Sequence, residues 1–180
     1  MQDDDLTKII KGCIARKSHS QENLYKFFYA YGITVALHYA KDLDQAKSVY
    51  NDAMLKCLTK IEQYKGEVPF KAWLRRIVIN SAIDHNRLYF SGNFVEYNDY
   101  ASEIPTQNTG IESVLATDDI LLLVQKIAPS YRTVFLLHAI EGYKFIEIAE
   151  QLGITDGGAK TLYQKAKTKL QTLINQSFEL

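Results

Sequence analysis

Apolar residues along this chain recur at every third or fourth position rather than in alternation, and that period predicts helices throughout. Leu6, Ile9, Ile10, Cys13 and Ile14 trace one helical stripe. Leu24, Phe27, Phe28, Tyr31 and Val35 trace a second, with Ser20 as its candidate N-cap. Ala46, Val49, Tyr50, Ala53, Met54, Cys57, Leu58 and Ile61 sustain a third for more than four turns, with Asp42 and Asp44 as candidate caps. After "YKGEVP", where Gly66 and Pro69 mark a loop, Phe70, Trp73, Leu74, Ile77, Val78 and Ser81 give a fourth.

The period fails between Ser91 and Gly110, a polar, asparagine-rich stretch made acidic by Glu96, Asp99 and Glu103. This stretch reads as a linker. Beyond it the pattern resumes, with helices expected near Ile111 to Ile127, from about Pro129 to Glu141 with a stop at Gly142, from Phe145 to Leu152, and from Asp156 to about Asn175. The expected fold class is therefore all-α: two small helical domains, residues 1–90 and 111–180, joined by a flexible linker over 91–110.

Composition narrows the picture only a little. A chain of 180 residues, 47% hydrophobic and 23% charged, belongs with ordered globular proteins of one or two domains. Lysine plus arginine equals aspartate plus glutamate, 21 against 21, so any footprint for nucleic acid has to be local. The start, "MQDDDLTK", has no basic leader, and the longest strongly apolar stretch, Ile120 to Val124, is too short to span a bilayer. A soluble, cytoplasmic protein without membrane insertion is expected. Cys13 and Cys57 show neither CxxC spacing nor a neighbouring histidine, so they read as core residues, and no metal or cofactor is expected.

Local chemistry is most specific near the C-terminus. In "FIEIAEQLGITDGGAKTLYQ", Ile148, Leu152, Ile154, Ala159 and Leu162 fall where two crossing helices need apolar contacts. Ala149 is small at the crossing, and Gly153 suits a turn at positive φ. The pattern is that of a helix-turn-helix. At about 100° per residue, Ala159, Leu162, Tyr163, Ala166, Leu170, Leu173 and Ile174 share one face of the last helix. Lys160, Thr161, Gln164, Lys165, Thr168 and Gln171 turn outward, with Lys167 nearby, and such amides, hydroxyls and cations suit a major groove and its phosphates. Gly157 and Gly158 would let a phosphate approach the amides of that helix's N-terminus.

In "FKAWLRRIVINSAIDHNR" the same projection gathers Arg76, Asn80, Ile83 and Arg87 into a ridge beside the apolar stripe. Lys71, Arg75, Arg76 and Arg87 face only Asp84 in this segment, a local basic excess that points to a phosphate backbone. On the third helix, Leu55 lies opposite the core stripe among Ser48, Asn51, Asp52 and Thr59, the arrangement of a partner-docking anchor.

Taken together, these segments resemble a bacterial RNA polymerase sigma factor of the extracytoplasmic-function group. The first half is similar to the family's region two, matching F-x-x-W-L-x-R-I-x-x-N-x-x-x-D-x-x-R at Phe70, Trp73, Leu74, Arg76, Ile77, Asn80, Asp84 and Arg87. The second is similar to region four through "YRTVFLLHAIEGYKFIEIAEQLGI" and "GGAKTLYQKAKTKL". The resemblance implies that core RNA polymerase is a partner, its clamp meeting Ser48, Asn51, Asp52, Leu55 and Thr59 and its flap meeting region four. It implies that the loop from Gln63 to Pro69, with Tyr64 and Lys65, joins Arg76, Asn80, Ile83 and Arg87 in capturing the melted minus-ten element of promoter DNA. It implies that Gly157, Gly158, Lys160, Thr161, Gln164, Lys165, Lys167 and Thr168 contact the minus-thirty-five duplex, that the linker threads toward the RNA exit path, and that an anti-sigma factor is a further partner.

Two other readings compete. A helix-turn-helix regulator with an N-terminal sensing or dimerising module keeps the second half but leaves the first half's match without an explanation. A metal-assisted hydrolase built on Asp84, His85, His38 and Asp42 meets a geometric objection, because adjacent residues on one helix diverge by about 100°.

Overall fold

The computed structural model describes residues 3–87, Phe90 and 117–178, and every regular element among them is a helix. Two compact units divide the chain, Met1–His85 and Asn86–Leu180. The expected linker over 91–110 and the expected helix start at Ile111 lie outside the described residues.

The first unit contains α1 (Asp3–Ile14), α2 (Ser18–Tyr39), α3 (Leu43–Lys60), a single 3-10 turn (Ile61–Gln63) and α4 (Phe70–Asn86), with α2 packed against both α1 and α3. The capping expectation holds for α3 at Asp42, which accepts from the Gln45 N–H at 2.7 Å while the Gln45 side chain accepts from the Lys41 N–H at 2.7 Å; Asp44 lies inside the first turn and is not the cap. It fails for α2. That helix begins at Ser18 behind Lys17, so Ser20 is already inside it, and a Cβ added at Gly12 would lie 2.1 Å from the Ser20 hydroxyl oxygen. Glycine at 12 therefore permits the close approach of α1 to the first turn of α2.

Leu24, Phe28, Val49, Tyr50, Ala53, Met54, Cys57, Leu74 and Val78 form the core of this unit. The Tyr50 hydroxyl donates to the Tyr25 carbonyl at 2.7 Å, which satisfies the one polar atom on a buried ring. Two members of the expected stripes turn outward instead: Phe27 is 48% exposed and Ile14 40%. Phe27 adjoins Phe28, and neighbours diverge by about 100° on a helix, so only one of them reaches the centre.

In the second unit α5 (Thr117–Gln125), α6 (Pro129–Ala139) and α7 (Phe145–Leu152) all pack on α8 (Asp156–Phe178). Pro129 opens α6 at a position that needs no N–H donor. Gly142, at φ 76°, turns the chain after α6. The Glu147 carboxylate accepts from the Lys144 N–H at 2.7 Å and fixes the start of α7. Val124, Val134, Leu136, Leu137, Ile148, Leu152, Ala159 and Ala166 fill the interior.

Candidate nucleic-acid interface

The α7–α8 pair has the geometry its sequence predicts. Gly153 takes φ 67°, and Ala149, Ile148, Leu152 and Ala159 are buried at the crossing. Behind it, the His138 ring stacks on Phe145 at 4.1 Å and meets Tyr163 edge-on at 4.8 Å. These contacts hold α6 against both helices of the motif and leave the opposite face of α8 open.

That open face is a trough of about 680 Å³. Lys160, Thr161, Gln164, Lys165 and Thr168 line it as expected, together with Lys169 and Thr172 further along α8 and Tyr131 from α6. Sequence projection cannot find Tyr131, which reaches the trough only through the packing of α6 on α8. Its ring centroid lies 5.9 Å from the Lys165 ammonium. Lys167 is exposed but does not line the trough; its ammonium sits 6.0 Å from the Tyr163 ring centroid, toward the packed side of the helix.

At the start of α8, Thr155 caps the helix: its hydroxyl accepts from the Gly158 N–H at 3.0 Å and its carbonyl accepts from the Ala159 N–H at 2.9 Å. The two glycines are therefore unequal. Gly158 has its amide engaged by the cap, whereas Gly157 is exposed and a Cβ there would meet nothing within 4 Å. At this end stand Gly157 and the Lys160 ammonium, which pairs with the Asp156 carboxylate at 2.6 Å.

On α4 the expected ridge survives in part. Arg76, Asn80 and Arg87 are exposed, but Ile83 is 3% exposed and belongs to the core. Ser81, Ala82 and Ile83 are buried in succession, so α4 is covered over more than one face, and a projection that assumes a single apolar side misplaces Ile83. In the preceding loop Gly66 takes φ 78° and Lys65 is exposed. The Tyr64 hydroxyl donates across the loop to the Val68 carbonyl at 2.8 Å, and the ring packs on Phe70 at 5.1 Å and Trp73 at 5.4 Å. Tyr64 thus braces the loop.

Ser48, Asn51, Asp52, Leu55 and Thr59 are all exposed on α3, with Leu55 at 67%. Leu55 and Thr59 border a cavity of about 340 Å³ that Ile14, Leu58 and Glu62 also line. The Asn51 side-chain oxygen accepts from the Tyr25 hydroxyl at 2.8 Å, and Asp52 lies 2.7 Å from the His85 imidazole. Lys56 pairs with Asp84 at 2.8 Å. Asp84 and His85 thus engage different residues of α3, as their divergence on the helix requires. Among the described residues, no cluster of three His, Cys, Asp or Glu side chains is placed to hold a metal. Cys13 and Cys57 are buried free thiols, and burial pushes the Cys57 thiol up to about 12. None of the described helices is long and apolar enough to cross a membrane.

Residues 28–88 match the sigma-70 region 2 family and residues 117–170 the sigma-70 region 4 family. The ECF RNA polymerase sigma factor SigL of Mycobacterium tuberculosis is 26% identical over 170 residues, which cover 93% of this chain and 96% of that protein. The RNA polymerase sigma factor SigV of Bacillus subtilis is 25% identical over 134 residues, 74% of this chain and 78% of its own. ECF RNA polymerase sigma factor SigW of the same organism is 26% identical over 141 residues, 72% of this chain and 75% of its own. With both regions present in order and together spanning more than half of its length, the chain belongs to the sigma-70 family, in the extracytoplasmic-function group, and is a promoter-recognising sigma factor.

Proposed function

We propose that the two units divide promoter recognition between them. Residues 1–90 take the melted minus-ten element through Lys65, Tyr64, Arg76, Asn80 and Arg87, and dock on the polymerase clamp through Ser48, Asn51, Asp52, Leu55 and Thr59. Residues 111–180 place α8 in the major groove of the minus-thirty-five duplex and rest on the flap, with residues 91–110 as the tether. The observation that carries this reading is the α8 trough, where a glutamine amide, threonines and lysines converge on one open face beside a capped helix start.

The loop and ridge of the first unit differ from the trough in a way that fits unpaired DNA. An arginine pair beside Asn80 offers phosphate and base-edge contacts, and the braced Tyr64 ring offers a surface for a splayed base. An anti-sigma factor covering the Leu55 face in the cytoplasm would exclude polymerase by simple occupation. Reconstitution of the chain with core polymerase on a promoter library tests the division. Transcripts should require two separate sequence blocks, with Asn80→Ala impairing open-complex formation and Lys160→Ala weakening upstream duplex binding with a smaller salt slope. Unchanged transcription in both variants would overturn it.

A further inference from the structure

The outward stripe of α8 runs through Thr161, Lys165, Thr168 and Thr172, with Gln164 beside it. All three threonine hydroxyls are turned back into the helix: Thr161 donates to the Gly157 carbonyl at 2.9 Å, Thr168 to that of Gln164 at 3.1 Å, and Thr172 to that of Thr168 at 3.1 Å. Their protons are committed, so what they offer a base pair is a methyl group and an acceptor oxygen, with no free donor. Gln164 differs: it is exposed on the open face, and the bond it receives from Thr168 goes to its backbone carbonyl. Two of the lysines have partners of their own, Lys160 in Asp156 at 2.6 Å and Lys165 in the Tyr131 ring at 5.9 Å.

We infer that this face reads A·T pairs, with the Gln164 carboxamide on an adenine edge and the Thr161 and Thr168 methyls against the C5-methyl groups of neighbouring thymines. The inference rests on the placement of α8 in the upstream duplex and specifies what it selects there. Glutamine pairs in bidentate fashion with adenine N6 and N7, and threonine methyls make apolar contact with thymine. The alternatives have weaker readers. Guanine O6 and N7 take arginine or lysine; α8 has no arginine, and the lysines on either side of Gln164 are turned to other partners, Lys160 to Asp156 and Lys165 toward the Tyr131 ring; cytosine N4 calls for a carboxylate, and the only acid over Asp156–Phe178 is Asp156, already paired.

The test uses the full chain with core polymerase on templates randomised across the upstream element. A·T pairs should be enriched by roughly tenfold at two or three adjacent positions, and Gln164→Arg should convert one of them from adenine to guanine. Replacing thymine by uracil at a single enriched position should weaken wild-type binding about fourfold, the effect of losing one buried methyl contact. In the Thr161→Ser, Thr168→Ser double variant, which keeps the hydroxyls and removes the methyls, that penalty should vanish. Selection of G·C pairs at these positions, or an adenine preference unmoved by Gln164→Arg, would overturn the inference while leaving two-block recognition intact. Transcription indifferent to the upstream sequence would overturn the placement of α8 itself.

Discussion

The His85 imidazole lies 2.7 Å from the Asp52 carboxylate, and one turn further along α3, Lys56 lies 2.8 Å from Asp84, so two polar contacts tie α3 to the end of α4. Exposed pairs of this kind contribute about 0–1 kcal/mol each. Asp52→Ala and His85→Ala should therefore each leave the unfolding free energy within about 1 kcal/mol of the parent. Polymerase binding should separate them: Asp52→Ala removes a proposed contact, whereas His85→Ala frees the carboxylate and retains affinity. Equal losses in a polymerase titration would remove Asp52 from the docking face.

Ile83 and Asn80 lie within one turn of α4 yet answer to different forces. Truncating the buried Ile83 to alanine should cost about 2–5 kcal/mol of stability, read as a lowered denaturant midpoint. Asn80→Ala, on the exposed side, should stay within about 0.5 kcal/mol while reducing open-complex formation. A stable Ile83→Ala protein with a selective defect at the minus-ten element would return this residue to the DNA-facing ridge.

The glycine pair of α8 gives opposing effects on stability and binding. Gly157→Ala should raise stability by up to about 1 kcal/mol, because alanine is the better helix former and its Cβ meets nothing within 4 Å. Gly158→Ala should gain less, since its Cβ would lie 3.1 Å from the Thr155 hydroxyl oxygen that caps the helix. If a phosphate seats at Gly157, the stabilised variant should bind upstream duplex more weakly. Unimpaired affinity in electrophoretic titrations would show that no anion needs that opening.

Alkaline pH should destabilise the first unit through Cys57. Its ordinary pKa of 9.0 rises to about 12 through burial, and the Tyr50 hydroxyl is also pushed up by burial. Above about pH 9 the unfolded chain releases the thiol proton while the folded chain keeps it, so the unfolded state binds fewer protons and stability falls as pH rises. The thiol's share of stability is fully present below that pH and is lost on the way to about 12, at about 1.4 kcal/mol per pH unit. Cys57→Ala should show a constant offset from its missing volume but a shallower decline in urea midpoint. Parallel curves for the two proteins would contradict this assignment.

The helix-turn-helix was legible because independent demands converged on a few positions: Gly153 had to turn, Ala149 had to be small, and Ile148, Leu152 and Ala159 had to be apolar. Each is as expected. The outward side of α8 followed from the same projection, since α8 buries one stripe and leaves the other face open. On α4 that logic misplaced Ile83, because a helix covered on several sides has no single apolar face to project from. Ser20 and Phe27 failed for a related reason: whether a serine caps or packs, and which of two adjacent phenylalanines points inward, depends on where the neighbouring helix approaches. Tyr131 was beyond reach of any local pattern, as its place beside Lys165 is created only when α6 packs on α8.

Trp73 is the sole tryptophan in the chain, and its indole lies 5.4 Å from the Tyr64 ring that braces the loop before α4. A strand that shifts Tyr64 must also alter the surroundings of that indole, whereas the helix-turn-helix contributes tyrosine alone to near-ultraviolet emission. The single indole of the chain thus lies beside the loop before α4, and the helix-turn-helix holds none. Time-resolved emission excited at the indole would date downstream strand capture independently of upstream docking, without any added label.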